Sequence, residues 1–307
     1  MLKRFRIACI TIGICLCIGI FAFSHFKRNP STKDSSYFKP IHVTKWTKGD
    51  SPCLLIQLGE RIISAQLDLG FRGDCSIGSE LLDQINDKKK IGSKIMYGFQ
   101  GKPERKNVFQ LPNIRIGSQS FDLPRAQEEA QDYRARASFT KDGSKPSPGQ
   151  PARIGWEMFQ NTPLLLDLKN QKIAFCDSIA TLKKEGYAIK RFVHTPLMLE
   201  RGLVEVEVQT DKGSLRCVLD TGCTFNVLNG ENEQNKSMPE LLWNEENFYT
   251  STKFQINNAE FGPVTFRQFP IRIPIHIDAM LGMEFLLDHI IFLDFPNHVA
   301  YFYCSGY

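Results

Sequence analysis

The stretch RCVLDTGCTFNVL, residues 216–228, leads from an apolar segment into a tight turn. Asp220 ends the apolar segment, and Thr221 and Gly222 follow it directly. A glycine two positions after an acid lets the backbone turn sharply and approach the carboxylate, which a side chain there would obstruct. A single acid in a turn is an ordinary surface feature. The role of Asp220 therefore depends on whether a second acid of this kind occurs in the chain.

The same pattern occurs a second time, in the first half of the chain. The two segments that align are IISAQLDLG (62–70) and SLRCVLDTG (214–222). The alignment places Asp68 on Asp220 and Gly70 on Gly222. The acid and the turn glycine are therefore both repeated.

A longer downstream segment is also repeated, in the same order relative to the acid. Its two copies are IGWEMFQNTPLLLDLKNQKIAF (154–175) and LGMEFLLDHIIFLDFPNHVAYF (281–302). The matched pairs are Gly155 with Gly282, Glu157 with Glu284, Asp167 with Asp294, Asn170 with Asn297, and Phe175 with Phe302. Two ordered matches in each half predict an internal duplication.

Short apolar segments bounded by Gly, Pro or Asn predict a mainly β protein from about residue 51 onward. Helical patterns are few and short. They are SELLDQINDKK (79–89), AQEEAQDYRARA (126–137), WEMFQ and MEFLL. The segment KIMYGFQGKPERKNVF (94–109) predicts a β-hairpin with a glycine-containing tip, and the polar segment 138–153 predicts an exposed loop.

Three segments, VLDTGCTFNVL, MLGMEFL and IIFLDFPNHVAYF, together resemble one lobe of a retropepsin-type aspartic protease. In that family an Asp-Thr-Gly turn carries the catalytic acid, a later strand braces it, and a short helix and a closing hairpin complete the lobe. Two lobes in one chain are similar to the pepsin-like arrangement. The resemblance implies two tandem β-barrel lobes with a few short helices, at 51–178 and 192–307, joined by a linker at 179–191.

The resemblance also implies that Asp68 and Asp220 are the catalytic pair. Two carboxylates held in contact share one proton, because both cannot ionise cheaply. The ionised acid activates a water molecule, and the protonated acid polarises the peptide carbonyl. No metal or other cofactor takes part.

Further site residues follow from the same resemblance. Thr221 would tie the two turns together through its hydroxyl group. Gly70, Gly222 and Thr224 would support the turns. In the predicted hairpin, Tyr97 and Gly98 are candidates for a flap over the substrate, although Tyr97 also fits an ordinary strand aromatic.

The first turn departs from the family pattern. It reads Asp68-Leu69-Gly70, and leucine has no hydroxyl group with which to return the tie. Phe71 and Arg72 follow, where small or hydroxyl residues are usual. Arg72 close to Asp68 would favour the ionised carboxylate. The turn at Asp220 is thus intact, while the turn at Asp68 is degraded around a retained acid.

Three functional hypotheses remain open. The first is a membrane-tethered aspartic endopeptidase that acts on peptides or proteins through Asp68 and Asp220. The second is a homodimeric protease that builds its site from Asp220 of two chains. The third is a catalytically degenerate protease fold used for binding or scaffolding in the cell envelope.

The N-terminal region predicts membrane association. Basic residues precede the uncharged segment IACITIGICLCIGIFAF (7–23). We interpret residues 1–26 as a signal anchor and the polar residues 27–50 as a tether. The basic lead predicts that the folded part lies on the exported side, in a bacterial periplasm or an equivalent compartment. Cleavage after Ser24, which would release a secreted protein, is the alternative.

Composition excludes several other functions. The net charge is a mild +5, and no basic face interleaved with aromatics indicates a nucleic-acid partner. Six cysteines lie outside the apolar segment, and export would permit disulfides among them. Neither these cysteines nor the six histidines have the spacing of metal ligands.

Overall fold

The computed structural model describes residues 37–44, 51–97, 101–129, 152–230 and 247–304. All of them belong to one compact unit, Ser36–Tyr307. The predicted anchor at 1–26 and most of the predicted loop, residues 138–151, lie outside the described residues. Among the helices that are described, none has the length and apolar character needed to cross a membrane.

The first half of the described chain is built almost entirely from short strands. They are β1 Phe38–Ile41, β2 Val43–Thr44, β3 Cys53–Leu58, β4 Arg61–Asp68, β5 Cys75–Gly78, β6 Lys89–Tyr97, β7 Pro103–Gln110, β8 Asn113–Ile116, β9 Gln119–Asp122, β10 Arg125–Glu129, β11 Ala152–Gly155, β12 Leu164–Asp167 and β13 Lys172–Cys176.

The second half has the same character. Its strands are β14 Phe192–Pro196, β15 Glu205–Thr210, β16 Gly213–Leu219, β17 Val227–Asn229, β18 Phe248–Ser251, β19 Phe254–Ile256, β20 Ala259–Glu260, β21 Val264–Phe269, β22 Ala279–Leu281, β23 Ile290–Asp294 and β24 Val299–Tyr303.

Helices are short and sit between strands. The α-helices of the described chain are Ser79–Asp83, Ile179–Lys184 and Met283–Leu286. The 3-10 helices are Trp156–Phe159, Leu168–Asn170, Ile189–Arg191 and Phe295–Asn297. The mainly β prediction is therefore confirmed.

The two lobes have the same strand order. In the first lobe eight strands run β7-β10-β5-β11-β4-β3-β8-β9, with β6 added beside β7 and β2 beside β3. In the second lobe the order is β18-β21-β17-β22-β16-β15-β19-β20. The strand that leads to each acid pairs in parallel with the strand that leads to the repeated glycine, β4 with β11 and β16 with β22. The two sheets thus follow the predicted duplication.

A third sheet joins the lobes. Its order is β1-β13-β12-β23-β24-β14, so each lobe contributes three strands and the halves meet where β12 pairs with β23. The repeated turn residues close the two hairpins alike: Asn170 donates its side-chain amide to Asp167, and Asn297 donates to Asp294. Strand β12 is buried along its whole length, which explains its continuous apolar run.

The predicted tether needs a corrected boundary, because the folded part begins within residues 27–50. Strand β1 pairs with β13, and Phe38 lies opposite Cys176. Ile41 is buried at the same edge. Pro40 is compatible with a strand here because β1 is the outermost strand of its sheet.

The predicted linker at 179–191 is also structured. Its helix, Ile179–Lys184, begins at Ser178, whose hydroxyl oxygen accepts from the Thr181 N–H group. Leu182 is fully buried, and the Tyr187 hydroxyl donates to Asp167 at 3.0 Å. The segment therefore packs against the sheet between the lobes.

Two helix predictions need correction. The segment 126–137 is not helical at its start, because residues 126–129 belong to β10, which pairs with β5 on one side and β7 on the other. Pairing with both neighbours overrides the helix propensity of Ala, Gln and Glu; residues 130–137 lie outside the described residues. The helix predicted at 79–89 ends at Asp83, and β6 begins at Lys89.

Candidate active site

Equivalent strands bring the two predicted acids to the same place. Asp68 is the last residue of β4, and Asp220 directly follows β16. Each acid lies beside the repeated bracing strand of its lobe, β11 or β22. Gly155 of β11 lies in register with Asp68. The backbone N–H group of Asp220 donates to the carbonyl of Leu281 in β22 at 3.0 Å. Each acid is 8% exposed. Both carboxylates therefore sit at the buried junction between the lobes.

The turn glycines of the two lobes pack against the opposite acids. A Cβ atom on Gly70 would lie 2.4 Å from Cγ of Asp220, and a Cβ atom on Gly222 would lie 2.5 Å from Cγ of Asp68. Any larger residue at either position would therefore displace the opposite carboxyl group. This reciprocal contact places the two carboxylates together within one chain.

Thr221 links the two turns by hydrogen bonds from the second lobe. Its fully buried hydroxyl donates to the carbonyl of Leu67 at 2.7 Å and accepts from the N–H group of Leu69 at 3.0 Å. Leu69 cannot return this contact and is instead fully buried in the hydrophobic core. The lost hydroxyl group of the first turn has thus been replaced by apolar packing.

The remaining turn residues have structural contacts. Thr224 accepts from the Glu284 N–H group at 3.1 Å through its backbone carbonyl, and the Cys223 thiol donates to the carbonyl of Phe225. The repeated glutamates bind arginines of the neighbouring strands, Glu157 with Arg125 and Glu284 with Arg267. They brace the short helices and do not reach the acids.

The two acids have different electrostatic surroundings. Burial raises the pKa of Asp220 from 3.8 to about 8, and the negative charge and hydrogen bond of Asp68 act in the same direction. A hydrogen bond from the Gly222 N–H group to Asp220 Oδ1, 2.7 Å long, opposes this rise. Burial and the neighbouring acid therefore hold the pKa of Asp220 above its usual range.

The cation paired with Asp68 is Arg153, a residue that the sequence analysis did not name. Arg153 Nη1 lies 3.3 Å from Asp68 Oδ2, and its guanidinium also lies 5.1 Å from the ring centre of Phe71. The side chain of Arg72 runs instead toward Gly202. Arg153 stabilises the Asp68 anion, which makes the pair asymmetric.

A sequence signal for Arg153 existed. Residue 153 immediately precedes Ile154, which is fully buried, so strand alternation turns the Arg153 side chain to the other face. Its partner in the repeat alignment is Met280, which also lines the cleft between the lobes.

A cleft of about 200 Å³ lies next to Asp68 and beneath the β6–β7 hairpin. The hairpin matches the one predicted at 94–109 and is longer, since its strands begin at Lys89 and end at Gln110. Tyr97 lines the cleft and is 44% exposed. Gly98 lies outside the described residues. The tip of the hairpin packs against the second lobe. A Cβ atom on Gly101 would lie only 2.2 Å from the carbonyl oxygen of Arg272.

The described part of the chain contains no cluster of His, Cys, Asp and Glu able to hold a metal ion. The six cysteines there are unbonded thiols. They are Cys53, Cys75, Cys176, Cys217, Cys223 and Cys304.

Solved structures show the fold, although no protein-family model and none of the curated proteins matches the sequence. An aspartic proteinase from Irpex lacteus aligns with a TM-score of 0.51 at 11% identity, over 89% of this chain and 98% of that chain. Basic 7S globulin from soybean aligns with a TM-score of 0.51 at 9% identity, over 88% and 95% of the two chains. The chain is thus similar in fold to a proteinase and to a globulin, both of pepsin-like fold.

Proposed function

We propose that the chain is an aspartic-type endopeptidase whose site is formed by Asp68 and Asp220 of one chain. One observation carries the proposal: each carboxylate packs against the turn glycine of the other lobe, so the two acids lie together at a buried site. Within the pepsin-like fold, the second lobe keeps the intact, retropepsin-like Asp-Thr-Gly turn, and the first lobe is its divergent partner.

The proposed reaction assigns one role to each acid. Asp68, an anion beside Arg153, accepts a proton from a water molecule whose oxygen attacks the peptide carbonyl carbon. Asp220 gives its proton to the carbonyl oxygen, and a tetrahedral diol forms. Asp68 then passes its proton to the amide nitrogen while Asp220 regains one from a diol hydroxyl. The C–N bond breaks, and the pair returns to its starting state.

Incubation of the full-length chain with a peptide library from pH 3 to pH 7 tests the activity, with and without an inhibitor that mimics the tetrahedral diol. We expect cleavage that the inhibitor abolishes. Absence of cleavage at every pH would contradict the proposal.

A binding or scaffolding role is the second candidate, and the Arg153–Asp68 ion pair favours it. The Arg153 guanidinium contacts Oδ2 of Asp68, an oxygen that would otherwise be open to a water molecule. Under this hypothesis Arg153 holds Asp68 in a structural ion pair, and the cleft binds peptides without cutting them. The two candidates differ in what removal of Arg153 does, as argued in the Discussion.

We further propose that residues 7–23 anchor the protein and that the folded part lies on the exported side of the membrane. The proposal rests on the uncharged segment and on the basic residues before it. A peptide or protein in that compartment would be the substrate.

A further inference from the structure

The β6–β7 hairpin ends the sheet of the first lobe with a strand that is paired on one side. Among the described residues, β6 pairs with β7 and with no other strand, so its second edge is open. Eight of its nine residues are exposed. The N–H and C=O groups along such an edge are a template for another strand. The edge of β6 therefore offers about 30 Å of backbone that a partner could extend.

The two faces of β6 differ in chemistry. Lys94 lies directly opposite Lys106 of β7, and Ile95 lies opposite Arg105. Directly opposed residues share a face of the sheet, and successive residues of a strand alternate between faces. Lys94 thus lies on the face of Met96 and Lys106, which both line the cleft, and Ile95 lies on the outer face. An added strand would meet a cation on one face and an aliphatic side chain on the other.

Exposed apolar side chains are concentrated on β6. Five large hydrophobic residues are exposed in the part of the chain that the structure describes, and three of them belong to this strand. They are Ile91, Ile95 and Tyr97, and Ile95 is 49% exposed. Single exposed apolar residues are ordinary, whereas several on one open strand indicate a contact surface.

Three exposed lysines of β6 determine which partner fits. Lys89, Lys90 and Lys94 form no salt bridge with any carboxylate of the described residues. Lys106 of β7, in contrast, lies 2.7 Å from a carboxylate oxygen of Glu129. Like charges directly opposite each other destabilise a strand pair, so a second copy of β6 is a poor partner. An acidic segment would instead supply the carboxylates that these lysines lack.

We propose that the open edge of β6 is a docking site for an extended segment of a partner protein in which acidic and aliphatic residues alternate. The acidic side chains lie beside Lys94, and the aliphatic side chains lie beside Ile95. Backbone hydrogen bonds supply affinity, and the alternation of side chains supplies specificity. The site uses neither Asp68 nor Asp220, so the inference goes beyond the proposed function and does not depend on hydrolysis.

Peptide binding to the full-length Asp220→Asn variant, measured by fluorescence anisotropy, tests the site without cleavage. The probe is a short labelled peptide in which valine and glutamate alternate. One comparison peptide has glutamine in place of every glutamate, and another has the same composition with all glutamates grouped at one end. We expect both to bind about tenfold more weakly, because the first loses the charges and the second loses the alternation.

Backbone methylation of the alternating peptide separates strand addition from simple charge attraction. Alternate N–H groups of an added strand point toward β6, and the others point away. One peptide is N-methylated at every valine and a second at every glutamate. The peptide whose methyl groups point at β6 should bind about tenfold more weakly than the other. Equal affinities of the two methylated peptides would overturn strand addition.

Variants of the chain assign the binding to this edge. Lys94→Glu and Ile95→Ser should each weaken binding of the alternating peptide about tenfold, because each removes one side of the match. Lys253→Glu is the matched control for the charge change. Lys253 is an exposed residue of the second lobe, between β18 and β19, and its substitution should leave the affinity unchanged.

The outcomes separate this inference from the proposed function. If the alternating peptide binds no better than the peptide with grouped glutamates, the docking site is overturned, even where a variant fails to fold. Dimerisation of the full-length chain that Ile95→Ser abolishes, measured by sedimentation, would also overturn it, because the occupant of the edge would then be a second copy. Selective binding of the alternating peptide, with no cleavage of any library peptide, would uphold the docking site and contradict the peptidase proposal.

Discussion

At the scale of single residues, the two acids are equivalent in position and unequal in surroundings. Asp68 has a guanidinium 3.3 Å away, whereas Asp220 is buried and receives one backbone N–H group. Repeat alignment was enough to predict both acids and the glycines. It could not predict Arg153 as the partner of Asp68, because that contact depends on β11 pairing beside β4. Arg72, the nearer residue in sequence, lines the same cleft and packs toward Gly202.

Asp220→Asn should change how stability depends on pH. The pKa of Asp220 is higher in the folded chain than in the unfolded chain, so the native state binds the proton more tightly. The contribution of Asp220 to stability therefore falls as the pH rises from about 4 to about 8. The Asn variant lacks this titration, and its urea-unfolding free energy should decrease less over the same range. An equal decrease in both proteins would contradict the raised pKa.

Arg153→Met should move the alkaline limb of the pH–activity profile to higher pH. The positive charge of Arg153 lowers the pKa of Asp220, which must be protonated for the proposed reaction. Removing the charge raises that pKa, so activity persists to higher pH. Initial rates of peptide cleavage across the pH range measure this shift.

Arg153→Lys is the control for this prediction, because it keeps the cation and should leave the alkaline limb near its wild-type position. A limb that stays unmoved in Arg153→Met would contradict the assignment of Asp220 as the proton donor. Cleavage that appears only in Arg153→Met would instead favour the binding hypothesis, in which the ion pair holds Asp68 inactive.

At the scale of elements, each acid is presented by a strand, a turn and a bracing strand, and the sequence predicted these parts because they recur. Only the turn glycines and bracing glycines avoid clashes at these close approaches, as for Gly282, where a Cβ atom would lie 2.1 Å from the carbonyl of Phe225. Strand β10 was predicted as a helix because its residues favour helices, while its pairing with β5 and β7 is a tertiary contact. Local propensity could not reveal that pairing.

Thr221→Val should destabilise the contact between the two turns. The variant keeps the side-chain shape and removes a fully buried hydroxyl, which leaves the Leu67 carbonyl and the Leu69 N–H group unpaired. We expect a loss of about 2 to 4 kcal/mol in unfolding free energy, measured by urea denaturation. Thr250→Val is the control, because its hydroxyl bonds to Thr265 on an exposed surface. A loss of unfolding free energy no greater than that of Thr250→Val would contradict a stabilising role for the Thr221 hydrogen bonds.

At the scale of the whole molecule, the lobes share a sheet to which each contributes three strands. The two turns meet within the same chain, where Thr221 of the second lobe bonds to Leu67 and Leu69 of the first. The sequence predicted the two lobes but not the extent of the shared sheet. Phe38 and Ile41 of β1 lie in a polar stretch that resembles a tether, and only pairing with β13 identifies them as sheet residues.

Membrane association is a prediction about the complete chain. We expect the full-length protein to stay in the membrane fraction after a high-salt wash and after carbonate extraction, because residues 7–23 are uncharged and apolar. Fractionation followed by N-terminal sequencing measures both points. A released fragment that begins at His25 would show that the segment is a cleaved signal.

The central claim, that Asp68 and Asp220 of one chain act as a unit, is tested most directly by the hydrolysis rate of Asp68→Asn. Groups that act together fail together, so this variant should be as inactive as Asp220→Asn. Wild-type activity should rise linearly with protein concentration, and Asp122→Asn, a change at an exposed acid of β9, should retain it. Activity of Asp68→Asn within a few-fold of wild type, rising faster than linearly with protein concentration, would show instead that Asp220 of two chains forms the site.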